Sequence, residues 1–184
     1  VFIPNQNTIY PTPDHFTEIT IPHYETLYCG LARPTFFKGV CSVVLRLFNI
    51  IKPHKAFFGE KDFQQLFIIK KMVKDLFLPI KITSSPIIRE ENGLAMSSRS
   101  AYLTNEEIEY AKEIFQYLSI IKTNFKNSPI SYNKIITLFE THISNIKYLK
   151  LDYIDIVDSN SLKPSKSPKH GDRILTAVYC NKTR

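Results

Sequence analysis

The sequence holds no tryptophan, only two methionines, five glycines and three cysteines among its 184 residues. So little glycine excludes collagen-like and glycine-rich repeats. Cys29, Cys41 and Cys180 are too few and too widely spaced for a disulfide framework, and their odd number favours reduced thiols in a cytoplasmic protein. No apolar run approaches the roughly 18 residues that read as a membrane span, and nothing resembles a signal peptide, so no membrane partner is expected. The histidines are His15, His23, His54, His142 and His170. None stands at metal-ligand spacing with a cysteine or carboxylate, so no metal site is expected. A G-x-S-x-G elbow and a Walker A loop are both missing, which leaves covalent catalysis by Ser or Cys without support. There is no initiator methionine. The chain opens on Val1-Phe2-Ile3-Pro4, which reads as the end of a strand, and the expectation is a chain that lacks its beginning.

What is present is a core. Hydrophobic residues make up 43% and charged residues 22%, with 13 Phe and 10 Tyr, which excludes global disorder. The net charge is +7, and the excess sits in the first half: residues 1–89 carry 11 basic and 6 acidic groups. That balance suits a nucleotide-sized polyanion or a nucleic acid, and equally a lysine-rich surface with no partner. No RNP, zinc-finger or GXXG pattern helps the nucleic-acid option.

Prolines break up residues 5–34, where Glu18-Ile19-Thr20-Ile21 makes at most a short strand. From Phe36 to Ile51 the apolar residues Phe36, Phe37, Val40, Val43, Val44, Leu47, Phe48 and Ile51 recur every three to four positions, and Pro53 closes that helical stripe. Lys55-Ala56-Phe57-Phe58 reads as a short buried strand. A helix from about Asp62 to Phe77 packs through Phe63, Leu66, Phe67, Ile69, Met72, Val73 and Leu76, and Ile80 to Ser84 is a second strand. Helix, strand, helix, strand with short links is the parallel α/β pattern. After Arg89 the pattern changes. Glu90-Glu91-Asn92-Gly93 is turn-like, and Thr104 with Glu107 makes a capping box for a helix running to about Ile121. Ser131 can cap another helix, with Ile135, Leu138, Phe139, His142, Ile143 and Ile146 on one side. Leu151–Val157 and Ile174–Cys180 read as strands around a basic loop, 163–171. The expected organisation is an α/β portion over 1–89 and a small α+β domain over 90–184.

Two clusters carry chemistry. Gly59-Glu60-Lys61-Asp62-Phe63-Gln64-Gln65 lies where a parallel strand gives way to a helix, the end of an open sheet at which ligands bind. Gly59 allows close approach, Lys61 suits a phosphate, Asp62 suits ribose hydroxyls or the helix cap, and Gln65 can point back over the same crevice. The other reading of this segment is a capped helix with solvated charges. Met96-Ser97-Ser98-Arg99 places two hydroxyls beside a rigid guanidinium fork, a set suited to polyphosphate, with Gly93 before it to let the loop move. Here the other reading is an ordinary serine-rich turn. Both clusters adjoin the expected domain boundary, and crevices between domains commonly hold ligands. Arg33 either binds a carboxylate or phosphate or braces a loop.

At these residues the sequence resembles the pantoate–β-alanine ligase (pantothenate synthetase) family. The motifs that carry the resemblance are Phe58-Gly59-Glu60-Lys61-Asp62-Phe63-Gln64-Gln65-Leu66 and Gly93-Leu94-Ala95-Met96-Ser97-Ser98-Arg99. Weaker matches are Ile9-Tyr10-Pro11, Asp152-Tyr153 and Lys182-Thr183-Arg184, so nearly the whole chain is covered. The resemblance implies a partial Rossmann-like nucleotidyltransferase domain with a parallel sheet, followed by a small α+β lid domain. It implies ATP-dependent condensation of pantoate with β-alanine through a pantoyl-adenylate, with release of pyrophosphate and AMP, in a cytoplasmic homodimer. By motif, Gly59, Glu60, Lys61 and Asp62 line the ATP site, with Asp62 near the ribose and Lys61 near phosphate. Gln65 holds pantoate and Ile88 meets the adenine side. Met96, Ser97, Ser98 and Arg99 form a mobile loop over the phosphates. Lys61, Ser97, Ser98 and Arg99 are the expected catalytic groups and Arg33 a possible support. Mg²⁺ is expected with ATP, with no ligand identifiable in this chain.

The chain departs from the family pattern at Phe36, where histidine is usual, and at Ser100, where asparagine is common. The family's histidine-containing nucleotide loop and a further pantoate-binding glutamine are not in this chain, so the expectation is a C-terminal portion, inactive alone. Two other functions stay open at this point: a different adenylate-forming nucleotidyltransferase, and a nucleic-acid-binding module using Lys163, Lys166 and Lys169.

Overall fold

Five prolines in the first 34 residues leave no room for long elements, and the chain there folds as three single turns of helix: α1 Gln6–Ile9, α2 Pro22–Glu25 and α3 Cys29–Ala32. The structure, a computed structural model, describes residues 1–12, 14, 17–128 and 130–184. Pro13 and His15, both within the segment read above, lie outside the described residues. The chain divides into two units, Val1–Pro86 and Ile87–Arg184.

In the first unit, Glu18–Ile21 forms no strand. Ile19 and Ile21 turn onto the core instead, and the Ile21 N–H donates to the buried Glu25 carboxylate. The expected stripe becomes α4, Phe36–Ile51, ended by Lys52 in a left-handed conformation (φ 51°) whose N–H reaches Phe48 O. Strand β1 (Lys55–Gly59), a 3-10 turn (Glu60–Asp62), helix α5 (Phe63–Asp75) and strand β2 (Lys81–Ser85) follow. The two strands pair in parallel, Lys55 opposite Lys81 through Gly59 opposite Ser85. This is the β–α–β unit that the alternating pattern specified.

Its interior is built from Phe37, Cys41 and Phe48 of α4 against Ile68, Ile69, Met72 and Val73 of α5, with Ala56, Phe58, Ile80 and Ile82 packed on them. Each large apolar side chain so buried stabilises the unit by about 1.5–3 kcal/mol. Two details differ from the sequence reading. Ile68 is fully buried, while Leu76, expected inside, is exposed as the C-cap. Strand β1 is not buried on both sides: Ala56 and Phe58 face the core, whereas Phe57 is 67% exposed. A pleated strand alternates faces, and among the described residues the core covers one face of β1. Burial, with the Glu25 charge adding to it, pushes the Cys41 thiol up to about 11.

The second unit begins with a tight hairpin and then α6, Asn105–Asn127. The expected capping box forms in full: Thr104 Oγ1 accepts from Glu107 N–H and the Glu107 carboxylate accepts from Thr104 N–H at 2.7 Å. The helix runs six residues beyond the expected Ile121, because Phe125 keeps the packing stripe going through a polar stretch. Ser131 caps α7, Tyr132–Ser144, as its sequence suggests. Strands β3 (Leu149–Val157) and β4 (Arg173–Cys180) pair antiparallel, with a bulge at Asp152 between Leu151 and Tyr153. The core consists of Ile121, Ile135, Phe139, Ile143, Leu149, Ile156 and Cys180.

Candidate functional site

In the first unit the expected site residues Gly59–Gln65 sit where β1 ends. Gly59 is in ordinary extended backbone (φ −71°, ψ 138°), and a Cβ added there would meet nothing closer than Lys61 N at 4.0 Å. Neither strain nor crowding within the fold therefore requires glycine; what it leaves is open space against the strand end. Lys61 and Asp62 are exposed. Asp62 occupies the N-cap position of α5 without giving the helix a side-chain hydrogen bond. Neither side chain has a hydrogen-bond or ion-pair partner among the described residues. The capped-helix reading of this segment thus loses its cap. Glu60 and Gln65 are half-buried.

The neighbouring Gln64 escaped the sequence reading. It is 5% exposed, and its side-chain amide is almost fully used. Nε2 donates to Tyr24 O (2.9 Å) and Leu27 O (2.7 Å), and Oε1 accepts from Cys29 N–H (3.1 Å). These bonds fix the 24–29 loop to the start of α5. The loop is tight: Tyr28 sits at φ 47°, and a Cβ on Gly30 would stand 1.6 Å from Glu25 O, so no other residue fits there. The loop leads through α3 to Arg33, whose guanidinium lies 4.1 Å over the Phe36 ring. No carboxylate pairs with Arg33 among the described residues, and its Nε is buried without a hydrogen-bond partner. Of the two roles considered for Arg33, the bracing contact is the one seen, made with Phe36.

In the second unit, Arg89 bridges Ala95, Glu90 N–H donates to Leu94 O and Met96 N–H donates to Ile88 O at 3.0 Å. This hairpin sets Ile88 beside Met96, with side chains 62% and 50% exposed. Gly93 (φ 91°) holds a backbone conformation that favours glycine, and a Cβ there would also come within 2.8 Å of the Phe115 ring. Arg89 stacks 3.6 Å over the same ring and donates to Gly93 O, and burial lowers its pKa. Ser97 Oγ accepts from Arg99 N–H and opens a second 3-10 turn, Ser98–Tyr102, in which Ser100 is half-buried. Ser98 and Arg99 are exposed. Arg99 Nη1 donates to Arg184 O at 3.0 Å, and the Arg184 guanidinium reaches Asp152 Oδ2 from Nε (2.7 Å) and Nη2 (2.5 Å). Ile88, Met96, Ser97, Ser98 and Arg99 are thus one continuous piece of structure, as are Gly59–Gln65 in the first unit.

The remaining candidates have local roles. His142 stacks on Tyr117 (3.8 Å, 5°), with Nε2 3.5 Å from Glu113 Oε2, on the face where α6 and α7 meet. Among the described residues no group of three or more His, Cys, Asp or Glu could hold a metal ion. The basic loop is folded on itself: Asp158 accepts from Asn160 and Ser161, and Asp172 from Ser165 and Lys169 N–H. Lys169 pairs with Asp158 at 3.4 Å and Lys166 lies 3.9 Å over the Tyr132 ring. Two of the three lysines considered for nucleic acid therefore already have partners. Among the described residues no helix is long and apolar enough to cross a membrane.

A family profile described as pantoate-beta-alanine ligase matches residues 1–184. A pantothenate synthetase of Thermotoga neapolitana is 40% identical over the whole of this chain, and one of a Sulfurihydrogenibium species is 43% identical. The chain spans 65% and 66% of the length of those relatives. The crystal structure of pantothenate synthetase from Thermus thermophilus superposes with a TM-score of 0.88 at 32% identity, over 95% of this chain and 63% of that one. A pantoate-beta-alanine ligase of Francisella tularensis, in complex with beta-gamma ATP and beta-alanine, matches with a TM-score of 0.71 at 31% identity, over 97% of this chain and 59% of its own.

Proposed function

The chain belongs to the pantoate-beta-alanine ligase family, and from that premise we propose that it serves an enzyme joining pantoate to β-alanine with cleavage of ATP. The α/β fold with a parallel strand pair is the one its structural neighbours share. The observation that carries the reading is the state of Lys61 and Asp62. They stand at the carboxyl end of a parallel strand, exposed and free of partners among the described residues, with Asp62 in the capping position but not capping.

The chemistry fits those groups. A pantoate carboxylate oxygen attacks the α-phosphorus of ATP; an O–P bond forms and the bond to pyrophosphate breaks. Two anions must meet, and cations placed where charge develops lower that barrier. Lys61 supplies one, Arg99 another, and the Ser97 and Ser98 hydroxyls add donors to the leaving group. Asp62 accepts from the ribose, Gly59 and Glu60 line the nucleotide, Ile88 and Met96 offer the adenine side an apolar surface, and Gln65 orients pantoate. Arg33 supports this arrangement from its stack on Phe36. In the second step the free amine of β-alanine attacks the acyl carbon, AMP leaves and the amine's proton passes to solvent. That step needs position and dryness rather than a covalent enzyme group. No residue cluster among those described would cage Mg²⁺. Magnesium keeps several waters and favours substrate phosphates, so it would arrive with the nucleotide. We place the assembled protein in the cytoplasm, supported by three cysteines that form no disulfide, and as a homodimer, on the family resemblance alone.

The test is pantoate-dependent exchange of labelled pyrophosphate into ATP by the protein expressed from its complete coding sequence. Exchange that requires pantoate supports the reading; exchange driven by a different acid replaces it with another adenylate-forming activity, and none at all refutes it.

A further inference from the structure

The Asn181–Arg184 segment makes more connections than a connection-length stretch of chain requires. Asn181 adopts a left-handed conformation (φ 51°), and Cys180 and Thr183 bond each other's main chain in both directions (2.7 and 2.9 Å), so the segment is a closed turn. The Asn181 side-chain amide donates to the Glu107 carboxylate, the same group that completes the capping box of α6. Arg184 is held at the other end by the Asp152 carboxylate in a two-pronged bond (2.7 and 2.5 Å), with its side chain only 12% exposed. Asp152 stands at the β3 bulge, where the irregular register turns it out of the regular strand alternation. The main-chain oxygen of Arg184, at the end of this doubly anchored turn, is the one that receives Arg99.

We propose that Asp152 and Arg184 are positioning residues for Arg99: the Asp152–Arg184 pair fixes the Arg184 main-chain oxygen, which seats one edge of the Arg99 guanidinium and leaves the rest of the fork aimed at polyphosphate. This rests on the phosphate role proposed above for Arg99. An arginine side chain on a surface turn samples many rotamers. Tying Nη1 to a rigid acceptor removes most of them, while Nε and Nη2, which have no partner among the described residues, keep the geometry that binds phosphate oxygens in pairs. Two guanidinium nitrogens converging on one carboxylate oxygen, Asp152 Oδ2, make a charge-assisted contact that serves as such an anchor.

The test uses the protein from its complete coding sequence, with inorganic pyrophosphate as the probe in calorimetry and with ATP–pyrophosphate exchange as the second readout. Asp152→Ala and Arg184→Met each remove the anchor and keep the main-chain oxygen of residue 184. Both are expected to weaken pyrophosphate binding about tenfold and to raise the KM for ATP by a similar factor, with kcat falling less than about threefold. Asp152→Glu should restore most of the affinity. In an Arg99→Ala background the same substitutions should change pyrophosphate affinity by less than about twofold, a coupling that simple loss of stability would not give. Unchanged affinity in both anchor variants, an undiminished effect without Arg99, or no pyrophosphate binding by the parent protein would each overturn the proposal. If pyrophosphate binds through Arg99 in the coupled way but no pantoate-dependent exchange occurs, the positioning role stands and the ligase reading falls. If exchange occurs and the anchor variants bind normally, the reverse holds.

Discussion

The two units hold their proposed site residues in opposite states. In the first, Lys61 and Asp62 lie idle at a strand end while an unrelated-looking neighbour, Gln64, carries the structural work. In the second, Ser97 caps a turn, Met96 closes a hairpin and Arg99 is tied to Arg184, so the candidate groups are woven into the local structure. Under the proposed roles, function and stability should therefore be separable in the first unit and entangled in the second. A phosphate-binding group that nothing else restrains relies on its ligand for order; one seated in advance gives up less entropy on binding.

The largest expected effect sets the baseline for that contrast. Phe139→Ala empties a fully buried position at the centre of the second core and should cost about 3–5 kcal/mol, read as a lowered midpoint in urea. Lys61→Ala should do the converse: a fall in adenylation rate of about 10²–10³-fold, the scale for removing one transition-state donor, with the midpoint unmoved. A midpoint that drops with the activity would show Lys61 to be structural and would break the contrast. Gln64→Leu sharpens it from the other side. It orphans main-chain groups of the 24–29 loop, each worth about 1–3 kcal/mol when buried and unsatisfied, and so should destabilise the first unit although it adjoins Gln65. Smaller still is the loss from Thr104→Ala, about 1 kcal/mol for a helix cap.

The same cap gives a pH signature. The Thr104 backbone N–H, then the Asn181 amide, hold the Glu107 carboxyl below the usual carboxylate range. A pKa depressed in the folded state means stability that is present above the unfolded value of about 4.3 and lost as pH falls through the folded one. Glu107→Gln should therefore flatten the acid limb of the second unit's stability curve, and a parent and variant with superimposable acid limbs would contradict the assignment.

Much of this organisation is legible in the sequence, and the failures have physical reasons. The bounds of α4 follow from its stripe and Pro53, and the capping box is visible as Thr104 and Glu107. The one-turn helices α1, α2 and α3 are too short to show a period. Gln64 is hidden because a polar residue early in a helix reads as solvated; its partners are main-chain atoms 35 to 40 residues earlier, which no local pattern announces. The anchoring of Arg99 is hidden for a similar reason, since its acceptor is a main-chain oxygen 85 residues away. The residue types at the candidate site are plain in the sequence, but whether each is free or engaged depends on such distant main-chain contacts.

Cys41 has no solvent exposure, and Cys180 is buried with its thiol donating toward Glu107 O; burial raises the pKa of both. Cys29 is only half-buried, and its own N–H is gripped by Gln64. Since the thiolate is the reactive form, a maleimide dye should attach at position 29 well before the others. The wild-type chain thus comes with a built-in single-site fluorescent reporter on the very loop whose anchoring to α5 would otherwise have to be inferred.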